Sequence, residues 1–159
     1  MPRLKAALGM AGAAMLAALA VTGCTAAHAS SSSLAIASAY VPQPTKPGTT
    51  VAYLDIRNNG ATDRLVAVHT SVGGTVRFRA PVSRHGGALI MRTVPDIVIP
   101  ADSMLQLNPD HDYLLITGAG AMHDGKDIML RLTFASGDTV TVIALVTNPQ
   151  SGGASYFLN

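Results

Sequence analysis

Apolar and polar side chains alternate through most of this chain. In VAYLDIRN (residues 51–58), Ala52, Leu54 and Ile56 fall on one side and Tyr53, Asp55 and Arg57 on the other. In DIMLRLTF (127–134), Ile128, Leu130, Leu132 and Phe134 alternate with Met129, Arg131 and Thr133. In TVTVIALV (139–146), Val140, Val142, Ala144 and Val146 share a face. A period of two with β-branched residues predicts half-buried strands. Asn58-Asn59-Gly60 and Ser136-Gly137-Asp138 end such runs as turns. RLVAVHT, GTVRFRA, ALIMRT, DIVIP, SMLQL and DYLLITG are shorter strand candidates. No segment after the first residues keeps a 3.6-residue period with caps. Eight or nine short, closely spaced strands predict an all-β Greek-key β-sandwich of immunoglobulin or cupredoxin type. Such a sandwich carries its function in the loops at its two ends.

The amino terminus breaks the pattern. MPRLKAALGMAGAAMLAALAVTGC opens with Arg3 and Lys5, continues as an apolar run to Val21, and closes on small residues before Cys24, the only cysteine. A basic start, an apolar stretch and a small-residue processing site predict an export signal over residues 1–23. Val21-Thr22-Gly23-Cys24 resembles a bacterial lipobox. That resemblance implies cleavage before Cys24 and a lipid on its sulfur, anchoring the protein on the extracytoplasmic face of the cell membrane. Residues 24–35, small and polar at their core (TAAHASSSS), predict a flexible tether. Residues 36–148 predict one β-sandwich domain, and residues 149–159 a C-terminal tail.

Charge gives no signal for nucleic acid. The chain has 11 basic and 9 acidic residues, and without Arg3 and Lys5 the balance is even. There is no basic tail and no aromatic ladder for stacking bases, so nucleic acid is not an expected partner. With one cysteine there is no internal disulfide; the core alone must stabilise the domain.

Enzyme motifs are missing. No G-x-S-x-G elbow is present. Gly-rich GAGAMHDG lacks the Lys-Ser/Thr and the helix of a phosphate loop. No two histidines have zinc-site spacing. The expectation is a protein that is not an enzyme. Soft-metal chemistry remains, because thioether and imidazole donors select copper(I). The candidates are Met91, Met104, Met122 and Met129 with His69, His85, His111 and His123. Core filling is the ordinary role of a strand methionine. His85 before Gly86-Gly87 and His123 before Asp124-Gly125 sit in turn-like sequence.

From about Ala39 to Val146 the chain resembles the PCu(A)C family of extracytoplasmic copper chaperones. AYVPQPTKPGTTVAYLDIRNNGATDRLVAV is similar to the family's opening, and PDIVIPA followed by LQLNP is similar to its Ile-Pro-Ala link into the strand before the metal loop. The resemblance implies a cupredoxin-like β-sandwich, Cu(I) as cargo, and delivery to respiratory oxidase copper centres through an oxidase subunit or a second copper chaperone. The family's ligands are a His often followed by Met, then a Met after ten residues, then His-x-Met after twenty-one more. Mapped here, those positions hold Arg79 (with Ala80 next to it), Met91, Tyr113 and Leu115. Only Met91 keeps a ligand type. Arginine offers no lone pair, tyrosine is a hard donor and leucine donates nothing. His111 lies two residues before the lost His position and is the candidate co-ligand for Met91, with His85 as a further option. The alternative to copper delivery is a metal-free, membrane-tethered protein-interaction module on the same fold.

Overall fold

The computed structural model describes residues 33–46, 48–85 and 88–148, with the side chains of Arg84 and His85 outside the description. The export signal, the lipobox cysteine, most of the tether and the C-terminal tail lie outside the described residues.

Ten strands occur among the described residues: β1 (Leu34–Pro42), β2 (Thr49–Asn58), β3 (Asp63–Thr70), β4 (Thr75–His85), β5 (Ala88–Val94), β6 (Ile97–Ile99), β7 (Ser103–Leu107), β8 (Tyr113–Thr117), β9 (Asp127–Phe134) and β10 (Thr139–Thr147). All nine strands expected from the alternation are present. The tenth, β1, starts at Leu34, two residues before the expected domain boundary.

The strands follow one hydrogen-bonded path, β5-β4-β8-β2-β1-β10-β9-β3-β6, with β7 also on β2. Strand β2 belongs to both layers of the sandwich. Its first half, Thr49–Ala52, pairs with β8, and its second half, Leu54–Asn58, pairs with β7. One layer is therefore β5-β4-β8-β2, and the other runs from β7 and β2 through β1, β10, β9 and β3 to β6. Neighbours are antiparallel except β1 and β10, which run parallel with Tyr40 opposite Leu145.

Alternation places the core between the layers. Leu54, Ile56, Leu65, Leu130, Leu132 and Phe134 are fully buried. Two strand methionines depart from the core-filling expectation: Met104 and Met129 are exposed. They occupy outward positions, Met104 opposite Arg57 and Met129 opposite Ile143. Met122 lies outside any strand and is buried in the core.

Two local devices set the register near the candidate site. Gly74 has φ +83°, and a Cβ there would stand 2.6 Å from the Thr117 carbonyl oxygen. Only glycine allows the turn before β4 to close on the end of β8, so Thr75 starts its pairing at Thr117. At the opposite end, buried Asn58 donates from Nδ2 to the carbonyls of Ala61 (2.8 Å) and Pro100 (3.0 Å), while its Oδ1 accepts from Gly60 N–H (3.0 Å). It ties the end of β2 to the link between β6 and β7.

Candidate functional site

The outward face of the β5-β4-β8-β2 layer brings the motif positions together. In β4, Phe78 is buried while Arg77 and Arg79 face outward. In β8, Leu114 and Ile116 are buried, which turns Tyr113 and Leu115 outward. The register sets Arg79 opposite Tyr113 and Arg77 opposite Leu115. On the other side, Arg79 is opposite Thr93, and Pro81 is opposite Met91.

Arg79 crosses the β4–β5 seam. Its guanidinium donates from one NH2 group to the Met91 carbonyl oxygen at 2.6 Å and from the other to the Thr93 hydroxyl at 2.9 Å. Its Nε is buried and has no hydrogen-bond partner. Charge-assisted bonds of this kind are roughly twice as strong as neutral ones. A permanent cation is thus held against the backbone of the one residue here that carries a soft donor.

Aromatic rings continue the row across the next strands. Tyr113 meets Tyr53 edge-on, with centroids 6.5 Å apart and planes at 65°. Tyr53 meets Tyr40 at 5.2 Å and 49°. Tyr53 and Tyr40 are also cross-strand partners on β2 and β1. The lateral order is Met91 and Thr93, Arg79, Tyr113, Tyr53, Tyr40, spanning five strands. Burial, then the neighbouring phenols of Tyr40 and Tyr113, raise the Tyr53 pKa above its usual value. Burial and the nearby Asp55 carboxylate raise that of Tyr40.

The histidine candidates are dispersed. His111 is exposed on the β7–β8 turn, where its N–H donates to the Asn108 carbonyl at 3.2 Å and Asn108 Oδ1 accepts from Asp110 N–H. The next residue, Asp112, is half-buried; burial raises its carboxyl pKa and the charge of His111 pulls it down. Strand β4, carrying Arg79, stands between the strand of Met91 and the strand that follows His111. His85 lies on β4 opposite Ala88. His69 is on β3 opposite Arg131, on the other layer. His123 is exposed in the β8–β9 connection. Among the described residues no group of three or more His, Cys, Asp or Glu could hold a metal ion. The donors collected around Arg79 do not fit Cu(I): a guanidinium and a phenol surround a single thioether residue.

The tyrosine row was not anticipated. Its signal is Tyr40, Tyr53 and Tyr113 at outward strand positions, legible only once the pairing of β1, β2 and β8 is known.

The fold is that of a PCuAC-like protein. Solved structures share it: the copper-bound PCuAC domain from PmoF2 is 18% identical, covers 74% of this chain and 94% of its own, and superposes with a TM-score of 0.62. The apo PCuAC domain from PmoF1 is 20% identical, with 74% and 95% covered and a TM-score of 0.61. The Cu(I)-bound solution structure of DR1885 from Deinococcus radiodurans is 25% identical, with 74% and 78% covered and a TM-score of 0.58. No curated protein sequence matches the chain. The family model for LpqE-like lipoproteins matches residues 34–146, and the chain belongs to that family.

Proposed function

We propose that this chain is an exported, lipid-anchored, copper-chaperone-like protein that acts through protein contact and no longer carries the metal in its inherited cage. In this reading residues 1–23 are removed, Cys24 bears the lipid, and residues 24–35 tether the domain to the extracytoplasmic face of the membrane. The observation that carries it is the Arg79 guanidinium bonded to the Met91 carbonyl at 2.6 Å and set opposite Tyr113. A fixed positive charge there opposes a metal cation. Arg79 and Tyr113, which stand at cage positions, are of the residue types enriched at the centres of protein interfaces.

In this reading the role is non-catalytic and is carried by protein contact. The partner in this reading is a protein of copper handling, which the fold's similarity to copper-bound PCuAC domains supports. It is a subunit of a respiratory oxidase that receives copper, or a second copper chaperone that delivers it. A second reading keeps Cu(I) as cargo, held by Met91 and His111. It is favoured by the soft donor retained at Met91.

Complementation separates the two. Cells lacking the chain are assayed for oxidase-bound copper and oxidase activity, then supplied with variants. Contact without cargo predicts full rescue by the Met91→Ala/His111→Ala double variant and loss of rescue by Tyr113→Ala. Failure of the double variant, at normal protein level, contradicts the reading and supports carriage.

A further inference from the structure

The β4–β5 hairpin extends beyond the sandwich. β8 covers β4 only as far as Arg79, and β5 is the edge of its layer. From Pro81 to His85 and from Ala88 to Met91 the two strands pair only with each other. A two-stranded ribbon is marginally stable in water and gains from a surface to rest on. This ribbon exposes Val82 (51%) and Ile90 (41%), beside exposed Pro81.

Charge on the same layer is one-sided. Strand β4 contains Arg77, Arg79 and Arg84, and β5 contains Arg92; β4, β5 and β8 contain no carboxylate. Arg77 and Arg92 are exposed. Ile90 and Arg92 are two residues apart on one side of β5, so an exposed apolar side chain and a guanidinium share that side, with no carboxylate on β4, β5 or β8 to offset the charge, a combination suited to the interface of an anionic bilayer. Arginine stems can lie along the apolar boundary while their heads reach lipid phosphates.

Topology points the ribbon in the required direction. β4 is antiparallel to β8, and β8 to β2, so β4 runs the same way as β2. Past Arg79 it heads for the end of the sandwich where β2 finishes at Asn58, opposite Leu34, the first residue of β1. The segment upstream of Ser33 joins the domain at this end. If Cys24 is the anchor, nine residues, 25–33, separate it from β1. Fully extended they reach about 30 Å, so this end of the domain cannot leave the neighbourhood of the membrane. Asp63, Asp102 and Asp138 belong to this end too, but on the other layer. They would be repelled by the same surface, tipping the domain onto its β5 edge.

We infer that the β4–β5 hairpin is a second membrane contact, with Val82 and Ile90 entering the interface of an anionic phospholipid bilayer, Arg92 meeting its phosphates, and the arginine excess of β4 and β5 adding to the attraction. The inference rests on the lipid anchor at Cys24 proposed above. Lipidated full-length protein is reconstituted into vesicles of equimolar phosphatidylglycerol and phosphatidylcholine, or of phosphatidylcholine alone. An environment-sensitive fluorophore is attached at Ile90→Cys, or at Ile143→Cys as a control on the outer face of the other layer, where Ile143 is 63% exposed.

The expected result is a blue shift and loss of iodide quenching at position 90 on anionic vesicles only. The Arg84→Gln/Arg92→Gln pair should abolish both, and position 143 should stay wet throughout. Flotation of the protein with a water-exposed probe at position 90 overturns the hairpin contact while leaving the anchor standing. A protein that does not float on either vesicle overturns the anchor and the hairpin contact together. Equal shifts at positions 90 and 143 also overturn the contact, since they mean undirected adsorption. Protection of position 90 in native membranes but not on anionic vesicles overturns it in favour of an acidic protein partner.

Discussion

Arg79 donates to the backbone carbonyl of Met91 at 2.6 Å, so the residue at the first cage position holds the strand that carries the second. Together with the bond to Thr93 this clamps β5 to β4 near the point where the hairpin leaves the sandwich. Arg79→Ala should cost about 1–3 kcal/mol, the worth of charge-assisted hydrogen bonds to a half-buried site. The local signature is more specific. Amide exchange in β5 from Ile90 to Thr93 should accelerate while exchange in β9 is unchanged, because the clamp acts on the edge strand alone.

The tyrosine row gives a second outcome. Tyr53 touches both Tyr40 and Tyr113, so its ring supports two aromatic pairs. Each such pair is worth about 0.5–1.5 kcal/mol beyond its buried area. Tyr53→Phe should leave chemical denaturation close to wild type, and Tyr53→Ala should lower stability by about 2–4 kcal/mol. Alkaline titration followed by ultraviolet absorbance should show Tyr40 and Tyr53 ionising above the ordinary phenol range, because burial raises both.

Asn58 is the third test. It is 1% exposed and serves three backbone groups at the end of the sandwich where the chain enters. Asn58→Leu removes the hydrogen bonds to the carbonyls of Ala61 and Pro100, each worth about 0.5–1.5 kcal/mol. The variant should melt well below wild type. Asn58→Asp should be at least as damaging, because a carboxylate would face those same carbonyls.

Two aspartates should pull the pH profile in opposite directions. At Asp63 burial pushes the carboxyl up, but hydrogen bonds from the Ser136 side chain and from backbone N–H groups outweigh it and lower the pKa overall. Its stabilisation is present above the unfolded value of about 3.9 and is lost as pH falls through the lower folded value. At Asp112 burial raises the pKa. The unfolded chain then ionises first as pH rises, so stability declines through the carboxylate range and stays lower at neutral pH. Thermal melts should find Asp63→Asn less stable than wild type at pH 7 and Asp112→Asn more stable, with both differences shrinking on acidification.

Most strands were legible because alternation survives in them, as in the buried faces of β2 and β9. β1 was not, and its register says why. Pairing shifts between Ile36 and Ser38, so Leu34 and Ile36 lie on one parity while buried Ala39 and Val41 lie on the other. A bulge of this kind breaks the period of two in the middle of an alanine-rich, nine-residue strand. β4 reaches past Pro81, which reads as a strand end, through a second shift between Pro81 and Ser83. The neighbourhood of Arg79, Met91 and Tyr113 followed from motif spacing. The path of the guanidinium to the Met91 carbonyl did not, because spacing carries no information on side-chain rotamers. Asn58 read as a turn residue, and its burial depends on the β6–β7 link at Pro100, 42 residues downstream.

A cation and a phenol, Arg79 and Tyr113, stand where the family places two imidazoles. The most direct test of what this does to copper binding is anaerobic Cu(I) titration against a chromogenic chelator, comparing the wild-type protein with the Arg79→His/Tyr113→His/Leu115→Met triple variant. Wild type should show no stoichiometric uptake and the triple variant one equivalent, because two imidazoles and a thioether rejoin Met91 in the spacing of the family. One tightly held equivalent in wild type, abolished by Met91→Ala or His111→Ala, would contradict the loss of the copper cage.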